Sequence, residues 1–242
     1  KYLRCDLKKL KKNNYKIIKF NPEILIHLAW NKIPNFDYKT SKENETMSIK
    51  LFRFLEKYTN TKSIIVSGSC FELYPPNKSY RHFINSKMNI LRYLKQKKKE
   101  KRFDFQWLRI FYVYGPNQRK NSLIPYLINS INKDNKLILN SPKNSHDFLY
   151  IDDLCDCIIK CFKKNIGSNI FEVGTGKTTY IKKIIKIVER FKKKKIAIQN
   201  IKKIKSNKKY KANTSLLKKK INWRAKVVIS KGIKNTIDQL SQ

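Results

Sequence analysis

Two polar side chains and one phenylalanine stand where chemistry is expected. Ser69 closes a small-residue turn, Ser67–Ser69, at the end of a short apolar run. Phe83 and Lys87 lie four residues apart in a segment with helical periodicity, and this spacing puts both side chains on one face of a helix. A serine hydroxyl and a lysine amine can hydrogen-bond an oxygen of a bound molecule. Phenylalanine can neither donate nor accept a proton, so position 83 offers no general acid or base.

The segments around these residues alternate between short apolar runs and longer helical patterns, which indicates a parallel sheet with crossover helices. We therefore predict an α/β fold with a doubly wound parallel sheet. The predicted strands are Ile24–Trp30, Ser63–Ser67, Phe103–Val113 and Asn169–Val173, with one more inside the Lys-rich segment Lys192–Tyr210. The predicted helices are Ser48–Tyr58, Phe83–Leu94, Leu123–Ile131, Leu154–Phe162, a segment ending near Phe191, Ser215–Lys220 and Ile229–Leu240.

The ends of the predicted strands are the places to look for a site, because ligands bind at the carboxyl ends of strands in open α/β sheets. These ends are Ala29–Trp30, Ser67–Ser69, Phe111–Tyr112 and Val173–Gly174. The serine turn is one of them.

The charge of the chain is extreme, with 56 Lys and Arg against 17 Asp and Glu and a formal net charge of +39. Such charge can indicate a nucleic-acid or anionic-surface partner, or it can reflect an A/T-rich genome that enriches Lys, Ile and Asn together. We favour the second interpretation, since the basic runs are scattered and lack the glycine-and-aromatic pattern of an RNA-binding sheet. We expect weak, salt-sensitive binding to polyanions and no specific nucleic-acid partner.

The cysteines and the hydropathy indicate the compartment. Five cysteines without a CxxC pair, and only three histidines, make a zinc site or a disulfide framework improbable. Thiols in a reducing cytosol are the plain interpretation, so we expect a cytoplasmic protein without metal. The longest apolar stretch, Ile24–Trp30, is far shorter than the roughly 20 residues of a membrane helix, and His27 interrupts it.

Seven stretches in one order resemble the extended short-chain dehydrogenase/reductase family, the NAD-dependent epimerase/dehydratases that act on nucleotide sugars. They are Asp6–Leu7, His27–Ala29, Ser67–Glu72, Leu108–Pro116, His146–Leu154, Asn169–Lys177 and Ile221–Trp223. Each stretch alone is a weak signal, whereas the ordered set covers nearly the whole chain. The serine turn and the strand end Phe111–Pro116 resemble deoxyhexose reductases and epimerases most.

The resemblance implies catalytic roles for named residues. Ser69 matches the hydroxyl that hydrogen-bonds the sugar oxygen, and Lys87 matches the lysine of Tyr-x-x-x-Lys, whose ammonium binds the nicotinamide ribose and lowers the pKa of the tyrosine. Phe83 occupies the tyrosine position and departs from the pattern. The chain is then inactive, or the substrate or water relays the proton, or a neighbour replaces the tyrosine. Tyr80 is the first candidate for this replacement, followed by Tyr112, Tyr74 and His82.

The resemblance also implies a cofactor, NAD or NADP, and a nucleotide-sugar substrate. The positions matched to cofactor binding are Asp6, Leu7, Ala29, Trp30, Asn44, Lys87 and Phe111. The positions matched to substrate binding are Ser69, Tyr112, Asn121, Ser122 and Lys211. For Asp6 and Asn44 a role in capping a turn or helix is the alternative that the residues themselves suggest.

The glycines argue against one function and reveal a gap. Gly174–Thr178 invites comparison with a phosphate-binding P-loop, but that motif requires a glycine where Phe171 stands. The family's Gly-x-x-Gly-x-x-Gly turn, whose N–H groups hold the cofactor pyrophosphate, is missing from the sequence. Because the chain also opens with Lys1 and not Met, we expect a fragment or a copy truncated by about two βα units.

These observations together predict a dinucleotide-binding domain at residues 1–115 and 147–176, and a nucleotide-sugar lobe at 116–146 and 177–242. The resemblance implies NAD(P)-dependent epimerisation, dehydration or reduction of a nucleotide-activated hexose, impaired by Phe83, in a homodimer that serves polysaccharide synthesis. The alternatives are a catalytically silent relative that binds nucleotide sugars or a protein partner, and a basic nucleic-acid binder.

Overall fold

A computed structural model describes residues 5–132, 137–139, 144–164, 166–200 and 209–240. The chain forms two compact units. The first comprises Lys1–Ile110 and Lys160–Phe171, and the second comprises Phe111–Ile159 and Glu172–Gln242. The sequence-based boundaries differ from this division, because residues 111–115, 147–159 and 172–176 cluster with the second unit.

The described residues form helices, strands and short 3-10 turns. The helices are α1 (Asn14–Phe20), α2 (Tyr38–Tyr58), α3 (Arg81–Lys99), α4 (Leu123–Asn132), α5 (Ile151–Lys163), α6 (Ile181–Lys192), α7 (Ser215–Ile221) and α8 (Ile229–Leu240), with 3-10 turns at Leu7–Asn13, Cys70–Glu72 and Lys78–Tyr80. The strands are β1 (Ile24–His27), β2 (Ser63–Ser69), β3 (Asp104–Ile110), β4 (Tyr112–Tyr114), β5 (Leu137–Leu139), β6 (Ser145–His146), β7 (Phe148–Tyr150), β8 (Asn169–Val173), β9 (Thr179–Tyr180), β10 (Ile198–Asn200) and β11 (Lys209–Tyr210).

The first unit is built on a four-stranded sheet with the order β1-β2-β3-β8. β1, β2 and β3 pair in parallel, and the register places Ser69 at the end of β2 opposite Ile110. α2 and α3 pack against each other, and α3 also packs against β2 and β3. Parallel strands with flanking helices confirm the predicted α/β class.

Burial of apolar side chains fixes α2 and α3 on this sheet. Phe52 and Leu55 of α2 and Leu91 and Leu94 of α3 are almost completely buried in one cluster with Trp107 of β3. Full burial of such a side chain stabilises the fold by about 2 kcal/mol. The cluster therefore holds α3, and with it Phe83 and Lys87, at a fixed place beside β2.

The second unit contains several smaller sheets. β4 pairs with β7 and β5 with β10, both in parallel, while β6 lies between β11 and β9. Its core draws on α4, α6 and α8. On α6 the isoleucines and Val188 are buried, whereas Lys182, Lys183 and Lys186 are exposed, so hydrophobic periodicity locates the core face of this helix.

Some sequence-based element boundaries are wrong. The single strand predicted at Phe103–Val113 is two strands in different sheets, β3 and β4, and the backbone N–H of Phe111 between them donates to the carbonyl of Val173 at 3.0 Å. α2 begins well before Ser48, because Asp37 caps it by accepting a 2.6 Å hydrogen bond from the N–H of Thr40. The helical segment Leu7–Phe20 was not predicted.

Two further findings concern the compartment. No helix in the described ranges is both long enough and apolar enough to span a bilayer. All five cysteines are free thiols. Within the Lys-rich segment, β10 agrees with the predicted strand, while residues 201–208 lie outside the described residues.

Candidate active site

Lys87 is a buried cation at the carboxyl end of β2. Its side chain lies on the sheet-facing side of α3, and Nζ donates a 2.6 Å hydrogen bond to the carbonyl oxygen of Ser67. Nζ also lies 4.2 Å from the ring centroid of Trp30 and 5.8 Å from that of Phe83. Burial lowers the pKa of Lys87 from 10.5 to about 7, and the Glu72 carboxylate opposes part of the shift. A buried amine with this pKa can change its protonation state near neutral pH.

Phe83 is packed inside an aromatic cluster and is buried. Its ring meets the ring of Trp30 edge-on at 5.1 Å and that of Phe36 at 5.0 Å. Phe71 lies farther away, at 6.5 Å. Apolar packing thus takes the place of a proton-exchanging group beside Lys87.

Tyr80 belongs to the same cluster and brings a phenol to it. It stands at the start of α3, and its ring packs on Phe36 at 4.7 Å and on Phe71 at 4.9 Å. His82, another candidate replacement, is exposed and meets the ring of Tyr38 at 5.5 Å. Tyr80 therefore lies nearer to Phe83 through shared ring contacts than His82 does.

Ser69 ends β2 and caps the 3-10 turn Cys70–Glu72. Its hydroxyl accepts a 3.2 Å hydrogen bond from the N–H of Phe71, and the Glu72 carboxylate accepts one of 2.8 Å from the N–H of Ser69. Glu72 also accepts from the Trp107 indole at 3.0 Å and forms a 2.9 Å ion pair with Arg109. These contacts fix the serine turn, and they give Arg109 a structural role.

Glu72 is a positioning residue that the sequence interpretation did not single out. A serine followed three residues later by glutamate is the capping-box pattern, so the signal was present in Ser69–Glu72.

The loop after β1 is held by Asn44 of α2. The Asn44 amide accepts from the N–H of Asn31 at 2.6 Å and donates to the carbonyls of Asn31 and Thr40 at 3.2 and 2.8 Å. His27 hydrogen-bonds Ser48 at 2.9 Å, and burial together with the Lys87 charge lowers the pKa of His27 to about 4. Asn44 and His27 therefore fix the backbone that carries Ala29, which is exposed, and Trp30, which is half-buried.

Asp6 and Leu7 precede the 3-10 turn Leu7–Asn13. Asp6 is exposed, and its carboxylate accepts a 3.0 Å hydrogen bond from the N–H of Lys8, so it caps this turn. Leu7 packs on the core of the first unit. The strand expected to end at Asp6 would fall on residues 1–4, which lie outside the described residues.

The remaining predicted site residues belong to the second unit. Phe111 is buried, and Tyr112 stacks on His146 at 4.2 Å. Ser122 is half-buried, while Asn121 and Lys211 are exposed.

The buried carboxylate of Asp147 organises the glycine loop of the second unit. Its Oδ1 accepts from the N–H and the hydroxyl of Thr175 at 2.7 and 2.6 Å, and its Oδ2 accepts from the N–H of Gly176 at 2.8 Å and of Ala212 at 3.2 Å. Loop N–H groups that bind this carboxylate are not free for a phosphate, which argues against a P-loop. Sequence reasoning missed Asp147, because its partners lie far along the chain and most are backbone groups.

Comparison with known proteins places this architecture. The pattern of the NAD dependent epimerase/dehydratase family matches residues 1–174. The chain belongs to this family.

The relatives agree with that assignment. The chain is 29% identical over 234 residues to CDP-abequose synthase of Salmonella muenchen, spanning 90% of this chain and 76% of the relative. It is 31% identical over 142 residues to dTDP-4-dehydro-6-deoxyglucose reductase of Escherichia coli, spanning 55% of this chain and 44% of the relative. Among solved structures, UDP-glucuronic acid 4-epimerase from Bacillus cereus in complex with NAD has a TM-score of 0.86 at 20% identity, spanning 100% of this chain and 81% of that one.

The first unit's residues fit one end of the NAD that the family uses. Among the described residues, Nζ of Lys87 has one hydrogen-bond acceptor, the carbonyl of Ser67. An ammonium carries three donors, so Lys87 retains N–H bonds for ribose hydroxyls. At the pyrophosphate end the sequence lacks the glycine-rich turn, and we assign no residue there.

Proposed function

We propose that the chain binds a dinucleotide and a nucleotide-activated hexose, and that it catalyses NAD(P)-dependent epimerisation, dehydration or reduction of the sugar. The substrate class follows from the relatives, which are named for CDP-, dTDP- and UDP-linked sugars. The family assignment favours an enzyme over the catalytically silent alternative.

One observation carries the proposal: the Lys87 ammonium lies at the carboxyl end of β2, bonded to Ser67 in the turn that ends with Ser69. The lysine helix and the serine turn therefore meet at the edge of the sheet where α/β proteins bind their ligands.

The residues divide the work as follows. Bound NAD(P) supplies the acceptor or donor of a hydride. Lys87 binds the ribose hydroxyls, and its positive charge favours developing negative charge on a nearby oxygen. Ser69 hydrogen-bonds the reacting oxygen of the sugar. Phe83 excludes water beside Lys87 but moves no proton, so turnover is slow.

A homodimer and a cytoplasmic location remain part of the proposal. The free thiols agree with a reducing compartment.

The test is a hydride-transfer assay on the purified chain. NAD or NADP is combined with UDP-glucose, and NADH or NADPH with a dTDP-4-keto-6-deoxyhexose, while absorbance at the NADH band is followed. Slow turnover that requires both the dinucleotide and the sugar nucleotide supports the proposal. Binding of both ligands without turnover would favour the silent alternative, and binding of neither would refute the proposal.

A further inference from the structure

Trp30 lies against both residues that define the site. It follows β1, its ring centroid is 4.2 Å from Nζ of Lys87, and it meets the Phe83 ring edge-on at 5.1 Å. The residue is half-buried, but its indole nitrogen is inaccessible to solvent and has no hydrogen-bond partner in the part of the chain that the structure describes.

An unpaired buried donor calls for an explanation, because most buried polar groups in native proteins are hydrogen-bonded. Trp107, in the same unit, shows the usual arrangement: its indole N–H donates to the Glu72 carboxylate at 3.0 Å. Trp223, in the second unit, also lacks a partner among the described residues, but it is 1% exposed and sits in the core. Trp30 differs from both, since its unpaired donor accompanies a buried ammonium that also has donors to spare.

We propose that the indole N–H of Trp30 and the ammonium of Lys87 together bind one sugar oxygen, so that Trp30 supplies the hydrogen-bond donor that Phe83 lacks. This inference rests on the proposed function. The oxygen is a hydroxyl or carbonyl oxygen, and it belongs either to the ribose of the dinucleotide or to the hexose of the nucleotide sugar.

The proposal limits what Trp30 can do. An indole N–H donates a hydrogen bond but has no acceptor capacity, so it replaces the missing phenol in binding and not in proton transfer. The chain then holds its ligand better than a plain loss of the phenol would allow, while the chemical step stays slow.

The first test is an NMR titration of the wild-type chain labelled with 15N in its three tryptophans. Their indole N–H signals are assigned through bonds, and NADH and UDP-glucose are added in separate experiments. We expect the Trp30 signal to move downfield on saturation with one of them, while the Trp107 and Trp223 signals stay. A response to NADH identifies the ribose, and a response to UDP-glucose identifies the hexose.

The second test compares Trp30→Phe with Trp223→Phe, which removes a buried unpaired indole N–H from the other unit. Trp30→Phe retains an aromatic ring over Lys87 and loses only the donor. We expect it to weaken the dissociation constant of the responding ligand about five- to tenfold, the value of one hydrogen bond, while Trp223→Phe changes it less than about twofold.

Two outcomes overturn the inference while the proposed function stands: a Trp30 signal that stays in place as a ligand saturates, or a folded Trp30→Phe chain that binds as tightly as the wild type. The titration does not require the variant to fold. If the wild type binds neither ligand, the proposed function fails and this inference fails with it.

Discussion

Each unit of the molecule buries one charged side chain, and the two are treated in opposite ways. In the second unit the Asp147 carboxylate accepts four hydrogen bonds, from Thr175, Gly176 and Ala212. In the first unit the Lys87 ammonium has a single carbonyl acceptor among the described residues, and aromatic rings cover much of the rest.

The difference separates a structural charge from a functional one. Burying a charge is costly unless hydrogen bonds replace its water. Asp147 meets that requirement with protein groups alone, so its role is to hold the glycine loop. Lys87 does not, and its low pKa records the shortfall. An under-bonded buried charge at a ligand-binding edge is where a ligand contributes the missing contacts.

The largest expected effect is on the satisfied charge. Asp147→Ala removes the acceptor of four donors and leaves them unpaired, so we expect the free energy of unfolding to fall by about 3 kcal/mol. Urea unfolding measures this. Asp152→Ala, at an exposed acid on α5, serves as the control and should change stability by less than about 0.5 kcal/mol. Equal effects of the two variants would deny Asp147 its role.

The next effect concerns the phenol missing beside Lys87. Phe83→Tyr restores a general acid and base to the position, so we expect the rate of hydride transfer to rise by about a hundredfold. Phe36→Tyr adds a phenol to the same aromatic cluster at another place and should leave the rate unchanged. The rates are compared at saturating dinucleotide and sugar nucleotide. A gain shared by both variants would mean that any phenol in the cluster suffices.

The third effect is on the pH dependence of stability. Because the folded pKa of Lys87 is about 7 and the unfolded value is near 10.5, the unfolded chain binds more protons between these limits. The penalty for burying the charge is therefore complete below pH 7 and is relieved as the pH rises towards 10.5. We expect this residue to raise the free energy of unfolding by about 1 kcal/mol per pH unit within that window.

Lys87→Met should remove this contribution, whereas Lys95→Met, at an exposed lysine of α3, should keep it. Urea unfolding at several pH values between 7 and 10 gives the slopes. An unchanged slope in Lys87→Met would show that Lys87 does not titrate in this window.

Much of the framework was predictable from the sequence. The apolar runs at β2 and β8 and the periodicity of α3 and α8 gave these elements, because their core-facing residues recur at the spacing of a strand or a helix. The strand through Phe111 was wrong, since continuous apolar character does not reveal that a chain leaves one sheet and joins another.

The site was predictable only in part. Ser69 and Lys87 were identified by their place in an ordered set of motifs, and Glu72 could have been found from its capping-box spacing. Trp30 was selected for its backbone, and no sequence pattern shows that its ring would lie over Lys87. Asp147 could not be found at all, because the backbone N–H groups it binds have no sequence signature.

The most direct test of the contrast between the two charges is a fluorescence titration with NADH on the wild type, Lys87→Met and Lys95→Met. The two variants lose the same charge from the same helix, so general electrostatic attraction to the dinucleotide changes equally. The account predicts that Lys87→Met weakens the dissociation constant at least about tenfold, as expected for the loss of a charge-assisted hydrogen bond, and that Lys95→Met binds nearly as the wild type does. Equal affinity in both variants would contradict it.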